Sequence, residues 1–374
     1  MIIGVPKEIK PAERRVGMTP SSVRELVAHG HDVIVETAAG LGIAAPDEAY
    51  TAAGASIGAD ADEVFDTATM IVKVKEPQAV ERAKLRPDHV LFTYLHLAPD
   101  ADQTADLVSS KATCIAYETV TDASGGLPLL APMSQVAGRM SIQAGAHCLE
   151  APNGGSGLLL GGVPGVLSAK VVVIGGGVVG ENAIEMAIGL GAQVTVLDRS
   201  LSVLDHLANR FGNAIETMYS TVTAVEELVL DADLVVGAVL IKGDTAPKLV
   251  TEEMVEAMRP GSVLVDVAID QGGCFETSRP TTHTEPTYVV HDVVHYCVAN
   301  MPGGVPRTST YALNNATLPF TVALADMGAK GAMLDDPHLL GGLNTCNGHV
   351  TEKHVAGALG YDYLPAEEAL EGIS

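Results

Sequence analysis

The 374-residue chain has no tryptophan, and only 4% of its residues are aromatic. Cations are scarce as well: 22 Lys and Arg stand against 46 Asp and Glu, a formal net charge of −24. So acidic a surface repels phosphate backbones and anionic lipid, which argues against nucleic acid and membrane as partners. Well-solvated acidic side chains account for the charge, and adaptation to salt is the sharper reading of it. Cysteine is also sparse. Cys114, Cys148, Cys274, Cys297 and Cys346 are odd in number and never spaced C-x-x-C. That spacing speaks against a disulfide framework and a zinc site, and for reduced thiols in a cytoplasmic protein. The opening M-I-I-G-V-P-K-E lacks the long apolar core of a signal peptide and reads as a first strand. Long apolar runs are missing too. The most apolar window, residues 158–180, is interrupted by Gly, Pro and Lys170, so no membrane span is expected.

Glycine, by contrast, is plentiful, and its most ordered use lies between Lys170 and Asp198. Val171 to Ile174 read as a buried strand, after which Gly175, Gly177 and Gly180 fit G-x-G-x-x-G. From Val178 the apolar positions Ala183, Ile184, Ala187, Ile188 and Leu190 repeat at helical spacing, and a second strand, Val194 to Leu197, ends on Asp198. Each residue type has a physical task. Gly175 allows a tight turn, Gly177 lets a pyrophosphate approach the backbone, and Gly180 lets helix and strand pack closely. The helix N-terminus presents unpaired N–H groups to phosphate. Asp198 is spaced to hydrogen-bond an adenosine ribose. A glycine-rich βαβ turn need not bind anything, but strand, helix, strand and acid in register point to a dinucleotide site.

Strands alternate with helices through the rest of the chain. Strands are expected at Ile2–Val5, Val33–Val35, Met70–Val74, Val90–Leu97 and Thr113–Tyr117. A helix opens at Thr19-Pro20 with Ser21 or Ser22 near its cap, and others span about Asp47–Gly54 and Thr104–Ser110. Residues 133–149 have a helical pattern and join two domains. Beyond the glycine turn, strands at Ile215–Met218, Leu234–Val239, Val263–Val267 and Tyr288–His291 bring the doubly wound sheet to six strands linked by crossover helices. Helical sequence resumes at Ser309 and runs to about Met327, and the tail from His338 to Leu359 is expected to be mainly helical. The fold class is therefore α/β, with two domains, each a mostly parallel sheet with flanking helices, and the second a Rossmann dinucleotide-binding fold. The last segment is too short for an α/β domain of its own. It is expected to fold back onto the first, giving a discontinuous substrate domain, 1–128 plus 306–374, around a nucleotide domain, 129–305.

Open α/β sheets bind ligands beyond the carboxyl ends of their strands. Lys75 ends M-I-V-K-V-K, His96 lies at the end of V-L-F-T-Y-L-H-L, and Asp270 follows S-V-L-V-D-V-A-I-D. Arg15 belongs to a cationic segment after the first strand, with Lys7, Lys10 and Arg14. A small anionic substrate would need such cations, since a charged hydrogen bond contributes about 1.5–3 kcal/mol. Pattern alone leaves plainer roles open: a solvated turn for the cations, a surface ion pair for Lys75 and Glu76, a core histidine for His96, and a turn initiator for Asp270.

Several motifs in order carry a resemblance: G-V-P-K-E-I-K-x-x-E-x-R-V-x-x-T-P, V-K-V-K-E-P, F-T-Y-L-H-L-A, A-P-M-S-x-V-A-G-R, D-V-A-I-D-Q-G-G and V-A-N-M-P-G-x-V-P-R-T-S-T. Together they resemble the alanine dehydrogenase family over essentially the whole chain. The resemblance implies reversible, NAD-dependent oxidative deamination of L-alanine to pyruvate and ammonium by a homo-oligomer, a hexamer. It implies that Arg15 pairs with the substrate carboxylate and that Lys75 contacts the carboxylate or the carbonyl oxygen. His96 would be the acid/base, and Asp270 would complete the proton-handling set. NAD would be held by Ser134, by the turn with Gly175, Gly177, Val178, Val179 and Gly180, and by Asp198 and Ser220. Further contacts would come from Val239 and Leu240, from Val267, Ala268, Ile269 and Asp270, from Arg279, and from Val298, Ala299, Asn300 and Met301. No metal is expected, because T-V-A-L-A-D-M in the C-terminal helix offers only Asp326. Two rivals share the plan: the nucleotide-binding part of a transhydrogenase, which serves a membrane partner, and a non-catalytic nucleotide-binding regulator. The histidine of T-Y-L-H-L-A argues for substrate chemistry against the first, and the second has no need for Arg15, Lys75 and His96 together.

Overall fold

Continuous runs of apolar residues form the central strands, as they must in parallel sheets covered on both faces. In the computed structural model, which describes residues 1–239 and 246–372, the chain divides into two compact units, Met1–Pro132 with Val305–Ser374 and Met133–Gly304.

In the first unit the strands β1 (Ile2–Val5), β2 (Asp32–Glu36), β3 (Ser56–Gly58), β4 (Met70–Val72), β5 (Val90–Thr93) and β6 (Thr113–Ala116) are all parallel, in the order β6-β5-β4-β1-β2-β3. Ile3, Val5, Met70, Ile71, Leu91, Phe92 and Ile115 are fully buried. The chain winds outward from β1 to one edge, returns beside β1 as β4, and winds outward to the other edge. The loops after β1 and β4 therefore diverge, which makes their junction the switch point of the sheet. Helix Pro20–Ala28 is capped by Thr19, whose side chain accepts the Ser22 N–H, with proline in the first turn. The cap is thus Thr19 itself, ahead of both serines.

The second unit has the same winding. Its strands are β7 (Lys170–Ile174), β8 (Gln193–Asp198), β9 (Ile215–Tyr219), β10 (Leu234–Gly237), β11 (Val263–Asp266), β12 (Thr287–Val290) and β13 (Val293–Tyr296), in the order β12-β13-β11-β10-β7-β8-β9. All are parallel except β12, which runs antiparallel to β13 at the edge. Here the sequence expectation needs correction. The sixth parallel strand is V-V-H-Y, 293–296, whereas Tyr288 to Val290 belong to the antiparallel edge strand and His291 to the turn after it. A two-residue turn joins them, with His291 and Asp292 both in the left-handed region (φ 49° and 59°), the backbone that closes a tight hairpin. No crossover helix links β11 to β13; a 3₁₀ turn, Val267–Gln271, and the hairpin take its place. Helix Ala131–Cys148 contributes Ala137, Ile142 and Cys148 to the core beneath β7, β10 and β11.

Helix Pro306–Asp335 breaks at Gly328, where φ is 71° and ψ 162°, next to the expected end at Met327. The tail departs from expectation. Helices Pro337–Leu340 and Lys353–Leu359 flank two strands, β14 (Leu343–Cys346) and β15 (His349–Val350). β14 pairs antiparallel with β6 and extends the first sheet. The β14–β15 turn is Asn347-Gly348, both at positive φ, the pair most suited to a two-residue hairpin. Among the described residues no helix is long and apolar enough to cross a membrane.

Candidate active site

The strands stop sooner than their apolar runs suggest. β4 ends at Val72 and β5 at Thr93, so Lys75 and His96 lie in the loops beyond the strands, not at their last residues. The shortening places both on the carboxyl edge of the first sheet, beside the switch point.

The loop after β1 carries Glu8, Glu13 and Arg15. Arg15 is only 2% exposed, and Glu13 grips it with Nε to Oε1 at 2.7 Å, Nη2 to Oε2 at 2.6 Å and the Arg15 N–H to Oε1 at 2.9 Å. Burial alone would lower the Arg15 pKa, but the bonds and charge of Glu13 outweigh it and raise it. The cation is therefore permanent, and its fork is fixed in orientation. In the loop after β4, Lys73 is fully buried, and its Nζ donates to Glu81 Oε1 at 2.6 Å and to Glu8 Oε2 at 3.1 Å. The other oxygen of Glu8 accepts the N–H groups of Val74 (2.6 Å) and Lys75 (3.3 Å). The Lys75 carbonyl accepts from Thr93 Oγ1 at 3.0 Å, and its Nζ lies 3.9 Å from Glu76 Oε2. A cleft of about 290 Å³ lined by Lys7, Glu8, Glu13, Arg14 and Arg15 opens at this place.

His96 has φ 50°, strained for a residue with a side chain. Glu118, in the turn after β6, holds that conformation by accepting the N–H of His96 at 2.6 Å and of Leu95 at 3.2 Å. The imidazole Nδ1 lies 3.7 Å from the same carboxylate, too far for a hydrogen bond. Its ring stacks on Tyr94 with centroids 5.8 Å apart, and Tyr94 is anchored by its hydroxyl to the Leu129 carbonyl at 2.5 Å. The His96 side chain is 45% exposed, so it is no core histidine.

In the second unit Gly175 has φ 102°, and a Cβ on Gly180 would stand 1.8 Å from the Gly175 carbonyl oxygen. Both positions admit only glycine. Around Gly177, in contrast, a Cβ would meet nothing within 4 Å, and no side chain caps the helix Val178–Gly189 that starts there. Open space before uncapped N–H groups fits a pyrophosphate. Asp198 Oδ2 accepts the Gly176 N–H and Oδ1 the Ser200 N–H, each at 2.7 Å. Each oxygen retains a lone pair for a ribose hydroxyl. Ser220 donates its N–H to the Asp198 carbonyl at 3.0 Å, so it sits at the same edge. Val239 follows β10, and Leu240 lies outside the described residues.

Asp270 is exposed in the 3₁₀ turn after β11, with Val267, Ala268 and Ile269 before it, and the Asn300 N–H lies 3.4 Å from its Oδ2. In the segment after β13, Val298 and Met301 are buried, whereas Ala299 and Asn300 are partly exposed. The Arg279 guanidinium lies 4.1 Å over the Tyr288 ring. Ser134 is partly buried in helix Ala131–Cys148. The candidates thus form two groups. Arg15, Lys75 and His96 share one sheet edge of the first unit, and Asp270 and the described residues expected to hold a dinucleotide belong to the second.

Sequence reasoning passed over the residues that hold these groups: Glu8, Glu13, Lys73, Glu118 and Asp266. Asp266 is fully buried at the end of β11, where it accepts from the Ala268 N–H, the Cys274 N–H and the Ser278 hydroxyl at 3.1, 2.8 and 2.5 Å. It pins the loop carrying Asp270 and Arg279. For the four acids the available signal was a place within two residues of a candidate cation, or at the carboxyl end of a parallel strand; for Lys73 it was a cation directly after an apolar strand.

Two family models match almost the full length: "Alanine dehydrogenase/PNT, N-terminal domain" over residues 4–137 and "Alanine dehydrogenase/PNT, C-terminal domain" over residues 141–353. The chain is 61% identical to an alanine dehydrogenase of Halomonas elongata, over 98% of this chain and 99% of that protein. It is 56% identical to one of Bacillus subtilis, over 100% of this chain and 99% of that one. A solved L-alanine dehydrogenase superposes with a TM-score of 0.94 at 51% identity, covering 96% of this chain and 99% of its own. A transhydrogenase structure from Sinorhizobium meliloti has a TM-score of 0.80 at 26% identity, covering 94% and 99%. On full-length identity, fold and both domain models, this chain belongs to the alanine dehydrogenase/PNT family.

Proposed function

We propose that the chain is an NAD-dependent L-alanine dehydrogenase, which converts L-alanine reversibly to pyruvate and ammonium. The observation that carries this reading is the grouping of an oriented, permanently charged Arg15, Lys75 and a solvent-facing His96 on one sheet edge. A dinucleotide carrier without catalysis has no use for that group. The greater identity to alanine dehydrogenases than to the transhydrogenase structure favours amino-acid chemistry. In this reading the discontinuous unit is the substrate domain and the other the NAD domain.

Arg15 takes the substrate carboxylate through its planar fork, and Lys75 donates to the carboxylate or to the oxygen that becomes the pyruvate carbonyl. NAD bound by the second unit would supply the acceptor for the hydride that leaves the alanine α-carbon. Alanine that has released one ammonium proton to solvent becomes the iminium of pyruvate when it loses that hydride. His96 takes a proton from the water that adds to the iminium carbon and returns it to the amine nitrogen, which leaves as ammonia while the carbinol oxygen gives its proton to the same imidazole. Imidazole suits this exchange at neutral pH. Asp270 orients the imine, the water or the histidine. Gly175, Gly177, Val178, Val179 and Gly180 would hold the pyrophosphate, and Asp198 the adenosine ribose. Ser134, Ser220, Val239, Leu240, Arg279, residues 267–270 and residues 298–301 would complete the NAD site. A homo-hexamer follows from the family resemblance. A cytoplasmic setting suits five buried, free cysteines.

The test is NAD reduction on addition of L-alanine, with pyruvate and ammonium identified as products and glycine and serine as comparison substrates. Absence of alanine-dependent reduction would overturn the reading.

A further inference from the structure

The mechanism above makes no use of a second group of buried charges in the first unit. Lys73, Glu8 and Glu81 are 0%, 6% and 2% exposed, far below what charged side chains tolerate unless paired. One ammonium meets two carboxylates. Lys73 Nζ holds Glu8 Oε2 at 3.1 Å and Glu81 Oε1 at 2.6 Å, and the second oxygen of Glu81 accepts the Gln78 N–H at 2.7 Å. With Oε2 so held, Glu8 Oε1 faces the N–H groups of Val74 and Lys75. The backbone around them is braced again by the Tyr117 hydroxyl on the Lys73 carbonyl and the Thr93 hydroxyl on the Lys75 carbonyl, both at 3.0 Å.

We infer that Glu8 is a positioning residue of the substrate site: its carboxylate, oriented by buried Lys73, ties the loop after β1 to the backbone of Lys75 and so sets where the Lys75 ammonium stands relative to Arg15. Three observations support this beyond simple charge balance. Lys73 and Glu81 alone would already make a neutral pair, so Glu8 is not needed to compensate the ammonium. Burial pushes the Glu8 carboxyl up, against the pull of Lys73 and the Val74 N–H, so the fold keeps an acid here at a cost. And Glu8 and Arg15 lie in the same loop and line the same cleft. The inference rests on the alanine dehydrogenase reading for the role of Lys75.

The experiment compares Glu8→Ala and Glu8→Gln with wild type in steady-state kinetics with L-alanine, alongside NADH affinity by fluorescence titration. Wild-type turnover tests the functional reading; the variants bear only on Glu8. Glu8→Ala keeps the Lys73–Glu81 pair but removes the acceptor for two N–H groups. It is expected to lower kcat/KM for alanine by about tenfold to a hundredfold, the scale of a misplacement near 1 Å. NADH affinity, which belongs to the other unit, should stay within about twofold. Glu8→Gln keeps one acceptor oxygen and the side-chain volume, and should lose less. If Glu8→Ala does not fold, Glu8→Gln carries the test, with lowered kcat/KM at unchanged NADH affinity. An unchanged kcat/KM in whichever variant folds, or an equal loss of NADH affinity, would overturn the role.

Discussion

Asp198 illustrates what a single residue can and cannot reveal in sequence. Its distance from Gly180 is the spacing expected of a ribose-binding acid. Nothing in the sequence says that its two oxygens also hold the Gly176 and Ser200 N–H groups. The carboxylate should disfavour a 2′-phosphate: unit charges 4 Å apart repel by about 4 kcal/mol at an effective dielectric near 20, an upper figure before screening. NADH should therefore be used at least about tenfold more efficiently than NADPH; equal kcat/KM for the two would contradict that assignment. Because of its structural bonds, Asp198→Ala should weaken NADH binding as well as relax the preference, which fluorescence titration would measure. The same limit applies at His96. Its place after an apolar strand was legible, but its left-handed backbone and its anchor, Glu118, depend on β6 lying beside β5, a contact that sequence spacing does not encode.

At the scale of elements, the βαβ turn was legible because glycine is the only residue its geometry admits at two positions. The structure now separates the roles of its glycines. Gly180→Ala would drive a methyl against the Gly175 carbonyl oxygen, and should lower the melting temperature and abolish NADH binding together. Gly177→Ala meets open space at an ordinary φ of −70°, so it should fold with an unchanged melting temperature yet bind NADH at least about tenfold more weakly. Equal behaviour of the two variants would contradict the phosphate site. Both hairpins were misread, for different reasons. Asn347-Gly348 is a recognisable turn pair, but the strands on either side of it, Leu343–Cys346 and His349–Val350, are too short to show an alternating pattern. His291-Asp292 offers a weaker signal, since both residues tolerate the left-handed region but the pair lacks the glycine that usually marks such a turn. Loop-to-loop ties are equally invisible in sequence. Glu76 joins Lys10 of the loop after β1 to Lys75. Burial alone would raise its carboxyl, but Lys75 and Lys10 outweigh it and hold it below its ordinary 4.5. A carboxyl lowered on folding contributes stability that is present above pH 4.5 and lost as pH falls through the folded-state value. Wild type should accordingly melt higher than Glu76→Gln at neutral pH, and the two should converge in acid; a gap independent of pH would contradict the pairing.

For the whole molecule, a charge of −24 implies self-repulsion that salt screens. The melting temperature should rise between low and high sodium chloride, and no rise would exclude salt adaptation as the reason for the acidity. The division into units carries its own expectation: residues 133–304 expressed alone should fold and bind NADH without acting on alanine. The α/β class and the doubly wound sheet were legible because strand, helix and strand recur along the chain. The strands of the tail were not, because a strand that joins a sheet started more than two hundred residues earlier has no local signature. The central claim is that the edge bearing Arg15, Lys75 and His96 performs alanine chemistry on a nicotinamide. Its most direct test is NADH oxidation with pyruvate and ammonium, by wild type and His96→Ala side by side. The wild type should oxidise NADH only when both substrates are present, and the variant should retain NADH affinity while losing about a hundredfold or more in kcat. Wild-type protein inert toward the pair, or a variant as active as wild type, would contradict the account.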